Sequence, residues 1–248
     1  MQETVVENPY GLGALVANGN IVSRSILAVL VIMSLMTWFI MITKFFDQRK
    51  LRIQAQEAEK EFWASSSLTE AIGKLKGSSN PFRALAETGK QAYEYHEVNK
   101  TRLSSAIGTS EWITDSLQRT ADAVISRLQT GLPVLASVGA TAPFVGLLGT
   151  VIGIYNALIA IGVSGQGSIE KVAGPVGEAL IMTAIGLIVA VPAVLGYNVL
   201  LRRNKAVQER VSHFTHELHA YLISGVKMGL GMDKPPPGAK LAPATAAR

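Results

Sequence analysis

Cysteine is absent from the chain, so disulfides, thiolate nucleophiles and thiolate-held metals are excluded. Charge is scarce too. Only 17% of residues are Asp, Glu, Lys or Arg, where soluble domains average about 25%. Ahead of the first apolar block stand two acids, Glu3 and Glu7, and no base. Without a basic leader or a clear small-x-small cleavage pattern, that block reads as a retained anchor and not as a removed signal peptide. What the chain does have is apolar: 48% of its residues are hydrophobic. They gather in three blocks, the pattern of a membrane protein.

The blocks predict an all-α integral membrane protein with three transmembrane helices. Residues 1–20 form a lead segment. The first span covers 21–43, and its apolar run IVSRSILAVLVIMSLMTWFIMI suits one crossing of a core about 30 Å thick. Arg24 at its margin can snorkel and Trp38 suits the opposite interface. Spans two (132–162) and three (172–201) are near thirty residues each, or about 45 Å at about 1.5 Å per residue. They must tilt or project beyond the bilayer, and the second and third helices are expected to continue into a cytoplasmic helical bundle. The turn 163–171 joins them as an antiparallel hairpin.

Bases set the orientation. Lys44, Arg49, Lys50 and Arg52 follow span one, Arg127 precedes span two, and Arg202, Arg203 and Lys205 follow span three. The other flanks hold little beyond Arg24 and Lys171. The positive-inside rule then predicts an outer N-terminus and a cytoplasmic C-terminus. Bases that flank apolar blocks meet phospholipid headgroups, and they argue against a nucleic-acid partner.

Residues 44–131 form a cytoplasmic helical domain. Leu103, Ile107, Ile113, Leu117, Ala121, Val124 and Leu128 recur at helical spacing. A break falls near Gly77, Pro81 suits the first turn of a new helix, and Ser67 with Glu70 has capping-box spacing. Residues 202–225 continue as a helix whose apolar face includes Val207, Val211, Phe214 and Leu218. The Gly-, Pro- and Ala-rich stretch 226–248 reads as a disordered tail. His213, His216 and His219 fall three apart in the terminal helix. The first and third are about 240° apart around it, so the three cannot share one face, and a solvated or packed helix is favoured over a metal site.

The chemistry lies in spans two and three. Gly149 and Gly153 form a small-x-x-x-small pair, with Gly146 beside them, and Pro143 and Gly177 lie nearby in the two spans. Such residues let membrane helices approach closely. Glu178 lies in a long apolar run. A carboxylate there costs a few kcal/mol or more and points to ion or proton handling. From the turn, Thr150 lies about 16 Å deep, Glu178 about 13 Å and Thr183 about 21 Å, so the three share a layer. Glu178 and Thr183 are about 140° apart on an ideal helix, which leaves open whether the acid faces a lumen or a seam between subunits. No lysine follows the glycines as in a phosphate loop, and Gly165-Gln166-Gly167-Ser168 lacks a triad partner. No enzyme constellation is present, and no cofactor is expected.

Two stretches, GATAPFVGLLGTVIGIYNALIAIG and AGPVGEALIMTAIGLIVAVPAVLGYN, resemble the MotA/TolQ/ExbB proton-channel family, most of all its ExbB branch. The resemblance is strong over about residues 130–225. Leu148 and Ile152 stand where the family's GLFGTVWG has Phe and Trp. The resemblance implies an inner-membrane homopentamer around the helices of a dimeric, single-span ExbD-like partner. With a TonB-like protein it would spend the proton-motive force on outer-membrane import of iron-siderophore, haem or cobalamin. Protons are the implied coupling ion, with Glu178 as the span-three carboxylate and Thr150 and Thr183 as polar pore residues. TolQ, which serves envelope constriction, shares the motif. A passive scaffold packed by the glycines is the alternative of another kind.

Overall fold

A computed structural model describes residues 20–77, 79–98, 108–164 and 169–225. Most of the lead segment, the tail 226–248, the middle of the hairpin turn, and Leu103 and Ile107 lie outside the described residues. All regular structure among the described residues is helical.

Among the described residues six α-helices follow one another: α1 (Ile21–Glu57), α2 (Leu68–Lys74), α3 (Pro81–Val98), α4 (Thr109–Gln129), α5 (Leu132–Ser164) and α6 (Ile169–Ser224). A π-helical turn, Ala58–Phe62, extends α1. Among the described residues three helices are long and apolar enough to cross a membrane. The chain divides into two compact units. One comprises Met1–Arg49 and Gln129–Lys205, the other Lys50–Leu128 and Ala206–Arg248.

The first unit holds the apolar lengths of α1, α5 and α6. Asn20 caps α1, its side-chain oxygen accepting the Ile21 amide at 2.7 Å. Ile26, Leu30, Val138, Ala142, Met182, Ala190 and Ala193 form its buried cluster. Large side chains such as Phe39, Phe144 and Ile188 are exposed instead, as suits helices solvated by lipid. Gln48, buried, donates to the Asn204 side chain at 2.6 Å and to the Leu200 carbonyl at 3.1 Å. Arg203 lies over the Phe45 ring, 4.9 Å from its centroid.

Span two does not run unbroken from the preceding helix. Between α4 and α5 the chain turns at Gly131, whose φ of 86° is left-handed. A Cβ there would be strained whatever the space. Span three does continue: α6 is one helix of 56 residues, so the expected terminal helix is its second half.

The second unit is a water-type bundle. Phe62, Leu75, Phe82, Leu85, Ile113, Leu117, Val211, Phe214 and Leu218 are its core. Phe214 sits 5.0 Å from Phe62 and 5.3 Å from Phe82 in edge contacts. The α2 start is capped as its spacing predicts, Ser67 accepting the Glu70 amide at 3.3 Å. The reciprocal half differs. Glu70 reaches back to the Ser66 amide and hydroxyl, not to Ser67. α3 opens on Pro81, and Asn80 accepts the Phe82 amide at 3.0 Å.

Candidate functional site

The hairpin helices α5 and α6 approach so closely that glycine is required along their seam. A Cβ on Gly146 would lie 2.7 Å from the Met182 carbonyl oxygen and 3.1 Å from the Gly186 Cα. On Gly149 it would meet Met182 at 2.8 Å, and on Gly153 the Ala179 Cβ at 2.7 Å. Pro143 and Gly177 are half-buried within the same helices.

Sequence reasoning passed over the rest of this seam. Gly139 faces Val194, and Gly186 faces the Ala142 carbonyl, at 2.5 Å and 2.7 Å for an added Cβ. The signal was present. Gly139, Gly146 and Gly153 are seven residues apart, as are Ala179, Gly186 and Ala193. A seven-residue repeat keeps one face toward a partner helix, and small residues on it bring backbones together.

Close approach brings the two threonines together. The Thr150 and Thr183 hydroxyls are in direct hydrogen-bonding contact. Thr150 also donates toward the carbonyls of Gly146 and of Ala179, both at 3.3 Å. Thr183 reaches the Gly146 carbonyl at 3.4 Å. Thr150 therefore bonds back within its own helix and also across the seam. Thr141, another hydroxyl in α5, is exposed and bonds only back to Ser137 at 2.8 Å. Hydroxyls as such are not informative in these spans; the paired ones are.

Glu178 borders a different part of the same seam. It lines a cavity of about 230 Å³ with Asn20 and Ser23 of the α1 start, and Gly149, Gly153 and Asn156 of α5. The acid thus shares a cavity with two amide-bearing residues and a hydroxyl-bearing one, beside apolar Pro175, Ala179 and Met182. The sequence reading missed Asn156. An amide within an apolar span was its available signal.

The histidines go to separate surroundings in the second unit. His213 lines a cavity of about 150 Å³ with Glu59, Arg210 and Glu217. His219 is hydrogen-bonded to the Ser110 hydroxyl at 3.1 Å.

Paired hydroxyls and a carboxyl beside a partly polar cavity are set among three membrane-capable helices, as in a polytopic membrane protein. Residues 81–213 match the MotA/TolQ/ExbB proton channel family. The Biopolymer transport protein ExbB of Xanthomonas campestris pv. campestris is 40% identical over 212 residues, 84% of each chain. ExbB of Neisseria meningitidis is 36% identical over 208 residues, 84% of this chain and 94% of that one. The Tol-Pal system protein TolQ of Pseudomonas aeruginosa is 29% identical over 226 residues, 90% of this chain and 96% of that one. The chain belongs to the MotA/TolQ/ExbB family of energy-transducing proton channels and is a multi-pass inner-membrane protein.

Proposed function

We propose that the chain is the ExbB-type subunit of a proton-driven motor. It powers TonB-dependent import across the outer membrane, with Glu178 as the group that takes up and releases the proton. The observation that carries this reading is the placement of Glu178 at a polar cavity inside an apolar helix. One charge crossing about 100 mV releases about 2.3 kcal/mol. That energy becomes work only if a titratable group lies on the path. Thr150 and Thr183 form the polar stretch beside it. Glycines 146, 149 and 153, with Pro143 and Gly177, hold the helices close enough for the hydroxyls to meet.

On this reading the N-terminus is outside, the second unit is cytoplasmic, and five copies surround a dimer of a single-span ExbD-like protein that engages a TonB-like partner. Bases at the cytoplasmic flank meet phospholipid headgroups. Protons are the coupling ion, and no cofactor takes part. The 36–40% identity to ExbB proteins against 29% to TolQ favours this role over the Tol-Pal one.

The test is substitution at Glu178. Glu178→Gln and Glu178→Ala are both expected to abolish energised iron-siderophore uptake while native mass spectrometry still detects the assembled complex. Normal uptake by the glutamine variant would refute a protonation role. Dissociation by alanine alone, with glutamine active, would favour the passive scaffold.

A further inference from the structure

We infer that each copy of this chain carries a water-filled inlet to Glu178, running between its own three membrane helices. The inference rests on the proposed role and orientation and adds the route. Its ground is the make-up of the Glu178 cavity. All three helices contribute to it: α1 through Ser23, with its cap Asn20; α5 through Asn156, Gly149 and Gly153; and α6 through Glu178. A volume of about 230 Å³ has room for several waters, and waters settle where two or more polar groups can hold them. Asn20, Ser23, Asn156 and Glu178 supply those groups.

The direction follows from chain position. Asn20 and Ser23 lie at the very start of α1, the outer end of span one in the proposed orientation, and Asn20 is exposed. Asn156 lies eight residues before the end of α5, and Glu178 nine residues after the start of α6. Polar groups therefore descend from the outer end to the carboxyl. Gly149 and Gly153 form the inner wall of the cavity, where α5 lies close against Met182 and Ala179 of α6. An amide and a hydroxyl do not titrate here. They are positioning residues that hold waters through which a proton reaches the acid.

The absence of native cysteine makes the test direct. Ser23→Cys, Asn156→Cys and the control Leu158→Cys are placed singly in the full chain, with its partners, in cells. A membrane-impermeant methanethiosulfonate reagent is applied from the outer face. Leu158 is closer than Asn156 to the outer end but is exposed on the helix surface, 61% accessible. Only a hydrated thiol ionises and reacts, so Ser23→Cys and Asn156→Cys should be modified at least about tenfold faster than Leu158→Cys. Modified Asn156→Cys should also lose energised uptake. No reaction at Asn156→Cys while Ser23→Cys reacts, reaction only from the cytoplasmic face, or equal reaction at Leu158→Cys would each overturn the inlet. Repeating the labelling in a Glu178→Gln background separates the two ideas. Retained labelling with retained uptake sinks the role of Glu178 and leaves the inlet standing. Lost labelling at Asn156 in an active wild-type background sinks the inlet alone.

Discussion

The two units of this chain are held together by opposite kinds of residue. In the membrane unit the closest packing is made by glycines 139, 146, 149, 153 and 186, while Phe39, Phe144 and Ile188 are exposed. In the bundle unit Phe62, Phe82, Phe214, Leu117 and Leu218 are buried. The difference follows from solvent. In water, burying a large apolar side chain contributes about 1.5–3 kcal/mol. In lipid the same burial gains little, so association relies on backbone contact, which small residues permit. α6 obeys both rules along one continuous helix, from Ala179 and Gly186 to Phe214 and Leu218.

The hardest blow to the membrane unit should come from adding bulk. Gly146→Leu cannot be accommodated without parting α5 from α6, because even its Cβ meets backbone at 2.7 Å. The expected outcome is loss of folded protein, read by size-exclusion chromatography in detergent. A monodisperse, wild-type-like peak would break the comparison. In the bundle the hardest blow should come from removing bulk. Phe214→Ala empties the centre of an aromatic cluster and is expected to cost about 3–5 kcal/mol. The measurement is denaturant-induced unfolding followed by the Trp63 fluorescence. A loss near zero would mean that the bundle core is not packed as described.

The same contrast governs what the sequence could reveal. Three apolar blocks, the capped start of α2 and the Pro81 start of α3 follow local rules of hydropathy, capping and proline geometry, and all are legible. So was the family, because the paired motifs around Thr150 and Glu178 are specific in combination. Two things were not. The contact of Thr150 with Thr183 depends on the rotation of one helix against another, which no single-helix periodicity supplies. The grouping of Asn156 with Ser23 and Asn20 around Glu178 joins three distant segments. The boundary at Gly131 was legible, since span two is drawn from 132, but the turn was not: polar Gln129 and Thr130 fit a helix running on into the bundle, and only the positive φ of Gly131 marks the break.

A smaller effect sharpens the comparison at the bundle's edge. Ser67 supplies the cap of α2 by accepting the Glu70 amide. Ser67→Ala should cost about 1 kcal/mol, with the membrane unit unaffected. Hydrogen exchange would show faster exchange confined to Leu68–Lys74. Unchanged protection there would show that core burial of Ala71 and Ile72, and not the cap, holds this helix in place.

The weakest handle is pH, and the bundle holds two carboxyls that respond with opposite sign. The Ser66 hydroxyl, and then Lys74, hold the Glu70 carboxyl down at about 2, against an ordinary 4.5. Its folded form binds the proton less readily than the unfolded chain, so its contribution is full above 4.5 and fades as pH falls toward 2. Burial pushes the Glu217 carboxyl up, opposed by the His213 charge and the Trp63 indole and assisted by nearby Glu59. Here the folded state holds the proton longer. Its contribution is full below 4.5 and is lost as pH rises through the raised folded value. Glu217→Gln should remove that loss, so the variant's melting temperature should gain on the wild type as pH climbs from 4 to 7, while Glu70→Gln should fall behind as pH climbs from 2 to 4.5 and run parallel above it. Parallel melting curves for wild type and Glu217→Gln across the upper window would show that the carboxyl is hydrated, and that the cavity it shares with Arg210 and His213 opens to water.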